Sequence, residues 1–427
     1  MLKKIQIKGL FDKFDYEIEL KEGGLTILTG PNGYGKTTIL KTINAVATGN
    51  LAFFFKLPFA EITLVPDGAE TICLRKKNET IEIELRDKIL TSLNKKDINK
   101  EIRRLLRSPR YAQLDENILV DRRTETIYKT EDLIAQLYEE NPENKDESYP
   151  RRIPEFIDVY LIQEQRLIRK LALNRRRMPS YHFDEDMQGD FSNTIEEYAK
   201  ELSGNIKDIF ADASKIGQKL DSSFPNRLFD ETGSISKEEF NKRYDLIRKK
   251  QNSLSTYGLS TIKEEEHTSF KEENATALLV YLNDMEKKLA AFDEILQRLE
   301  VFSSILNKRQ FVSKQIEISP DFGFRFITED GKELSLTDLS SGEQQEVVLL
   351  YELLFKVTPN TLVLIDEPEI SLHVAWQKEF LDDLLKIVEL QKITVLVATH
   401  SPQIIKGRWD LAVDLWDLAT GSEGNPE

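Results

Sequence analysis

Apolar and polar residues alternate through IQIKGL and DYEIEL near the start of the chain, and again through FAEITLV, ETICLRK and ETIEIEL. That period of two marks strands buried on one face. LTILTG starts as another strand but runs straight into a glycine-rich loop and a helical stretch from Thr37 to Val46, an order of strand, loop and helix. Turn signals at Pro66-Asp67-Gly68 and at Asn78 separate the later strands, which predicts an antiparallel sheet beside the one that carries the loop. From about Lys88 to Glu139 the pattern turns polar and helical, and YEENPENKDESYPRRIPEF reads as a mobile loop before the strand FIDVYLI. A long charged, helical region follows to about residue 310. Within it Leu278, Leu282, Met285, Leu289, Phe292, Leu296 and Leu299 recur at alternating spacings of 4 and 3, the seam of a helix that pairs with another. Its expected partner is Lys237 to Ser253 or a second copy of the chain, and two arms of about 35 residues would project roughly 50 Å. Strands return at QIEISP and FGFRFITED, and helix and strand then alternate to VDLWDL; the tail GSEGNPE reads as disordered.

The pattern divides the chain into an N-terminal lobe (1–87), a helical insertion and loop (88–154), a strand with a basic segment (155–185), a helical or short coiled-coil insertion (186–311), a C-terminal lobe (312–420) and a tail (421–427). The 427 residues are enough for two or three domains with large cores. With 31% charged and 40% hydrophobic residues, the composition is that of a globular protein with much solvated helix. The longest apolar stretches are broken by Lys56 and Glu352, short of the roughly 20 residues of a bilayer span. The N-terminus has no apolar signal core, so a cytoplasmic protein with no membrane contact is expected. One cysteine, Cys73, excludes an intrachain disulfide and a cysteine-based zinc site. The net charge of −15 argues against indiscriminate nucleic-acid binding, although a local basic groove would still act.

Chemistry enters at residues 30 to 37, GPNGYGKT, which satisfy the Walker A pattern with the required strand before and helix after. Gly30, Gly33 and Gly35, with Pro31, Asn32 and Tyr34 between them, let backbone N–H groups face phosphate oxygens at a helix N-terminus. Lys36 would reach the β- and γ-phosphates of ATP, Thr37 would ligate Mg²⁺ through its hydroxyl, and Thr38 completes the cradle. TLVLIDE is an apolar strand ending in two carboxylates: Asp366 for the Mg²⁺ shell and Glu367 to polarise the attacking water. The next apolar strand, ITVLVATH, follows at a distance that suits a βαβ unit and carries His400 to the same sheet edge as a γ-phosphate sensor. Residues 339 to 345, LSSGEQQ, place Ser340, Ser341 and Gly342 at a helix N-terminus. As an isolated motif this is an ordinary N-cap. As a second phosphate cup in one chain, it is explained if it closes over the nucleotide of another protomer.

Walker A, LSSGE, LIDEPEISLH and ATHSPQ together resemble an ABC-type ATPase of the SMC-like and overcoming-lysogenisation-defect (OLD) lineage. The resemblance covers about 1–75, 155–170 and 310–415. It implies an α/β fold: an ABC-type P-loop ATPase head, a mixed sheet with helices plus an antiparallel β lobe, carrying a helical or short coiled-coil insertion. It also implies that Ser340 acts in trans, that Gln165 or Gln163 in VYLIQEQRL is the Q-loop glutamine, Gln165 being the more similar and a further Mg²⁺ ligand, and that Ser371 touches the partner across a dimer. Glu343 departs from the transporter branch, where glutamine stands, and the lone cysteine departs from the zinc-hook repair ATPases. The wording of the C-terminal motifs is most similar to single-chain ATPases of anti-phage defence operons, the PARIS ATPase subunit in particular, with Septu-type and retron-associated ATPases as neighbours.

Two decoys carry no weight. Asn94-Lys95-Lys96-Asp97 fits the guanine-reading pattern but no apolar strand precedes it, and Asp184 and Asp186 form a D-x-D that no strand leads into. Eight basic residues between 151 and 177 (Arg151, Arg152, Arg166, Arg169, Lys170, Arg175, Arg176, Arg177) outnumber three acids there, a DNA-backbone or phage-protein contact or else a solvated helix face. The expectation is an ATPase whose heads form a homodimer or higher oligomer around ATP and Mg²⁺. By the resemblance it switches an effector nuclease of TOPRIM-like type in anti-phage defence. The alternative is a DNA repair or recombination ATPase that binds DNA directly.

Overall fold

The computed structural model describes residues 1–68, 70–85, 88–115, 118–122, 126–129, 157–162, 192–260, 270–309, 314–370 and 372–421. The chain divides into two units, Met1–Asp190 with Lys356–Glu427, and Phe191–Phe355.

In the first unit the strands Leu2–Leu10 (β1), Phe14–Glu19 (β2), Glu61–Pro66 (β4), Ile72–Lys77 (β5), Thr80–Leu85 (β6) and Lys88–Asn94 (β7) form one antiparallel sheet in the order β2-β1-β4-β5-β6-β7. Their alternation sets the register, with Ile5 opposite both Ile18 and Leu64 and Ile7 opposite Tyr16 and Ile62, so apolar side chains line one face. Leu25–Thr29 (β3) lies in a separate parallel sheet with Val159–Ile162 (β11), Leu362–Asp366 (β15), Thr394–Ala398 (β16) and Ala412–Asp414 (β17), ordered β11-β15-β16-β3-β17. Every residue of β3, β15 and β16 is buried, as parallel strands covered on both faces require. The helix Lys36–Ala47 (α1) fills the space between the sheets: Ile39, Leu40 and Ile43 share a core with Ile5, Ile7, Ile62 and Leu74 on one side and Leu364 and Leu396 on the other.

The stretch expected to be helical from residue 88 departs from that reading. One helix, Lys95–Arg107 (α2), stands among four strands: β7 and the small antiparallel sheet of Tyr111–Asp115 (β8), Ile118–Asp121 (β9) and Thr126–Lys129 (β10). These strands are short and half polar, so their alternation is weak. Asn94, the start of the guanine-like motif, caps α2 by accepting the Lys96 N–H at 2.9 Å.

The second unit holds helices Ser192–Asp230 (α3), Lys237–Thr256 (α4), Ala275–Ala290 (α5) and Asp293–Lys308 (α6), the strands Lys314–Ser319 (β12), Gly323–Thr328 (β13) and Glu333–Leu334 (β14), and the helix Ser341–Tyr351 (α7). The leucine seam does not lie on one arm helix. It is cut after Ala290, because Ala291 and Phe292 turn the chain while keeping its apolar face buried, and the two expected long arms become shorter helices. α4 does pack against α5, with Arg243 donating to Glu286 at 2.8 Å, and α3 packs there as well, with Arg227 on Asp284 at 2.7 Å. α3 also crosses β13 so closely that a Cβ on Gly323 would stand 1.7 Å from the Ala199 carbonyl oxygen. Glycine is the one residue that fits there. Among the described residues no helix is long and apolar enough to cross a membrane.

Candidate functional site

The loop after β3 curls through three glycines in the left-handed region, Gly30 (φ 136), Gly33 (φ 88) and Gly35 (φ 91). At Gly35 a side chain is excluded twice over, by backbone strain and by Leu10, whose Cδ2 would lie 2.9 Å from the added carbon. Pro31, Asn32 and Gly33 stand exposed at the crown of the loop, and the Tyr34 carbonyl accepts the Tyr16 hydroxyl at 2.9 Å. Lys36 opens α1 and is 5% exposed. Its ammonium donates to the Gly30 carbonyl at 2.8 Å and lies 3.8 Å from Glu367 Oε1. The next residue, Thr37, donates its hydroxyl to Asp366 Oδ1 at 2.9 Å. A cavity of about 190 Å³ opens over this loop, lined by Asn32, Gly33, Gly35, Lys36, Thr37, Thr38 and Glu367, with Phe11 as an aromatic wall.

Topology gathers the acids and the histidine at the same edge. β15 and β16 pair in parallel so that Asp366 stands beside Ala398, and each strand ends in the residues expected to carry chemistry. Glu367 adopts φ 42, an uncommon conformation for a residue with a side chain, and its N–H donates to the Ala398 carbonyl at 2.8 Å. The turn swings its carboxylate toward His400, whose Nδ1 lies 2.7 Å from Glu367 Oε2. Burial, then the neighbouring Glu369 carboxyl, push Glu367 up to about 7, against the pull of His400. Burial pushes Glu369 the same way, but hydrogen bonds from Glu367, Thr399 and backbone N–H groups outweigh it and hold Glu369 below the ordinary carboxylate range. The two carboxyls titrate together, Glu367 as the raised member and Glu369 as the lowered one.

The donor set fits the expected ligands. A hydroxyl and a carboxylate oxygen side by side, Thr37 and Asp366, are the hard oxygens that Mg²⁺ takes, and the glycine loop with a buried lysine suits a triphosphate.

In the second unit Ser340 is the N-cap of α7. Its hydroxyl accepts the Glu343 N–H at 3.3 Å while the Glu343 carboxylate accepts the Ser340 N–H at 2.8 Å, a complete capping box. Lys314 on β12 donates to both oxygens of Glu343, at 2.9 and 3.0 Å. Burial pushes this carboxyl up, and Lys314 and Ser340 more than reverse it, leaving it below its ordinary range. Glutamate in place of the transporter glutamine thus has a local reason. Ser340 and Ser341 are exposed at the helix start, Gly342 half-buried.

The structure brings Lys36, Thr37, Asp366, Glu367 and His400 together and places Ser340, Ser341 and Gly342 on the other unit. Gln163, Gln165, Ser371, the D-x-D aspartates and the eight basic residues of 151–177 lie outside the described residues. Sequence reasoning missed Phe11, Gln377 and Glu369. The last had a signal, an acid two positions after the paired carboxylates that close a buried strand.

Comparison with known proteins adds the following. A family model described as AAA ATPase domain matches residues 1–405. UvrABC system protein A of Rickettsia typhi is 43% identical over 72 residues, 17% of this chain, and the chain spans 8% of that relative's length. Protein ea59 of Escherichia phage lambda is 29% identical over 121 residues, 28% of this chain and 23% of that protein. Among solved structures, the Smc head domain with an extended coiled coil bound to the C-terminal domain of ScpA, from Pyrococcus furiosus, is 15% identical with a TM-score of 0.40, covering 95% of this chain and 90% of that one. The SMC head domain of Thermotoga maritima has a TM-score of 0.37 at 14% identity, covering 96% and 92%.

Proposed function

The chain belongs to the AAA ATPase domain family, and from that premise we propose that it hydrolyses ATP at the edge of its parallel sheet and uses the cycle as a switch. The observation that carries the reading is the convergence of three separate strand ends: Lys36, Thr37 and Glu367 line one cavity, with Asp366 bonded to Thr37 and His400 to Glu367. The loop N–H groups and Lys36 bind the phosphates, and Thr37 and Asp366 hold Mg²⁺. The metal, when bound, neutralises charge on the phosphate oxygens. Glu367, once it has lost its proton, accepts one from the attacking water, and His400 orients that carboxylate and reads the γ-phosphate. Ser340, with the first N–H groups of α7, completes the site of a second copy, so that two heads close on two ATP molecules and part after hydrolysis. Mixing Lys36→Ala chains with Ser340→Arg chains should restore activity through one intact composite site. No rescue at any ratio would count against closure in trans.

The switched partner, following the likeness to defence ATPases, is a nuclease effector held or released with the nucleotide state. Co-purification from the native operon tests it: a nuclease that elutes with the chain and leaves on ATP turnover supports the reading.

Direct DNA contact is a second reading, and one observation favours it. Lys96, Lys100, Arg103 and Arg107 recur on α2 at spacings of 4, 3 and 4, all exposed, a basic stripe on an acidic chain. Duplex binding that weakens steeply with salt and is lost when these four become glutamate would support it; salt-independent or absent binding would remove it.

A further inference from the structure

Glu369 sits in the turn Pro368–Ile370, two residues beyond the carboxylate proposed as the base, and its side chain is only 8% exposed. A buried carboxylate that merely shaped a turn would bond its own segment. This one reaches across to the end of the neighbouring strand. Its Oε1 accepts the Thr399 hydroxyl at 2.6 Å and the His400 backbone N–H at 3.0 Å, and lies 3.3 Å from His400 Nδ1. Thr399 is completely buried, and its hydroxyl in turn accepts the Ser401 N–H at 3.0 Å. From behind, the Gln377 amide donates to the carbonyls of Glu369 and Leu372, both at 3.1 Å, and its oxygen accepts the Ser401 hydroxyl at 3.3 Å. The turn after β15 and the turn after β16 are laced into one closed ring, and His400 hangs from it with its imidazole against Glu367 at 2.7 Å.

We infer that Glu369 is a positioning residue, which clamps residues 399–401 so that the His400 ring is presented to Glu367 in one orientation. The inference rests on the reading of Glu367 and His400 as ATP-hydrolysing groups, and goes beyond it in giving a role to a carboxylate that does not touch the reacting atoms. Without the clamp the His400 N–H and the Thr399 hydroxyl lose their acceptor and the turn gains freedom. Misplacement of a catalytic group by about 1 Å costs on the order of 100-fold in rate.

Glu369→Ala should therefore lower kcat for ATP about 10- to 100-fold while leaving KM within about 3-fold. Glu369→Gln, whose amide oxygen still accepts from Thr399 and the His400 N–H, should retain most activity, whereas Glu369→Asp keeps the charge but not the reach and should behave as alanine. In a His400→Ala background Glu369→Ala should add less than about a twofold loss, since both act through one ring. Full multiplication of the two effects, or a KM defect in place of the kcat defect, would overturn the inference. An independent reading comes from ¹⁵N-histidine spectra, with the His400 ring signals identified by their loss in His400→Ala. Those signals should shift or broaden in Glu369→Ala and Glu369→Asp and hold in Glu369→Gln. If the wild-type chain turned over no ATP, the hydrolytic reading would fall, and the spectra alone would decide: unchanged ring signals in the alanine and aspartate variants would sink the clamp.

Discussion

The two helix starts proposed to meet phosphate are built on opposite plans. At the Walker loop the helix start is armed with a buried cation and faced by Asp366 and Glu367, so charges of both signs crowd around the N–H groups. At the signature the helix start is closed by its own side chains: Ser340 and Glu343 satisfy each other, and Lys314 neutralises the acid from the side. The first cup carries what phosphate binding and hydrolysis need. The second offers an exposed serine on a hydrogen-bonded frame, a shape consistent with the proposed service to a second copy. Burial of reactive groups sets the first helix start apart, and exposure of a braced serine sets apart the second.

That contrast can be broken in several ways. The largest effect should come from Glu367→Gln, which removes the base without changing its shape: ATP affinity should hold within about 3-fold while turnover falls about 10²- to 10⁴-fold. A phosphate-release assay with a parallel binding titration checks both halves, and normal turnover would place the base elsewhere. Lys36→Ala should weaken ATP binding about 100-fold or more, because a buried charge-assisted contact is lost, and calorimetric titration would expose unchanged affinity. Ser340→Arg should leave binding by the isolated chain within about 3-fold yet cut hydrolysis about 10-fold or more, the signature of a cup that serves a neighbour. Glu343→Ala should cost about 1–2 kcal/mol in a denaturant melt, through the lost capping box and the stranded Lys314, with nucleotide affinity unmoved.

The smallest effect is a pH dependence. Glu367 is held at about 7 against an ordinary 4.5, so between those values the folded chain keeps a proton that the unfolded chain has lost. The stability this group contributes is present at low pH and is lost as pH rises through about 7. Glu367→Gln has no proton to lose, so its advantage in stability over wild type should grow from pH 5 to pH 8. About 1–2 kcal/mol is expected, and Glu369, shifted downward, titrates below this window and leaves the change to Glu367. A gap that stays flat across that range would show the two carboxyls to be independent of folding.

Much of this was legible in the sequence because the chemistry lies at the ends of fully buried strands. Four apolar residues before Asp366, four before Thr399 and a glycine pattern after Thr29 each announce a strand edge, and a parallel sheet brings such edges together. Glu369 and Gln377 escaped because their partners are fixed by which strands are neighbours, and no spacing along the chain encodes that. The break at Ala291 and Phe292 escaped for a different reason. A short interruption that keeps the 4-3 rhythm is invisible to periodicity, since the apolar stripe runs on across the break in the helix. Between residues 88 and 129 three of the strands, β7, β8 and β10, are polar edge strands, and propensity alone favoured helix.

The strand that feeds the Walker loop is flanked by β16 and β17, both from the final 35 residues of the chain. During synthesis on the ribosome, β3 therefore waits with neither neighbour made while more than 360 residues follow it out of the tunnel. Thr29 completes the join by donating to Asp414 at 3.1 Å, nearly the last residue of the sheet to emerge. The nascent protein cannot assemble its loop on a finished sheet until residue 414 has been made, so a product terminated before residue 394 lacks both flanking strands of β3 and leaves that strand open to pairing with other chains.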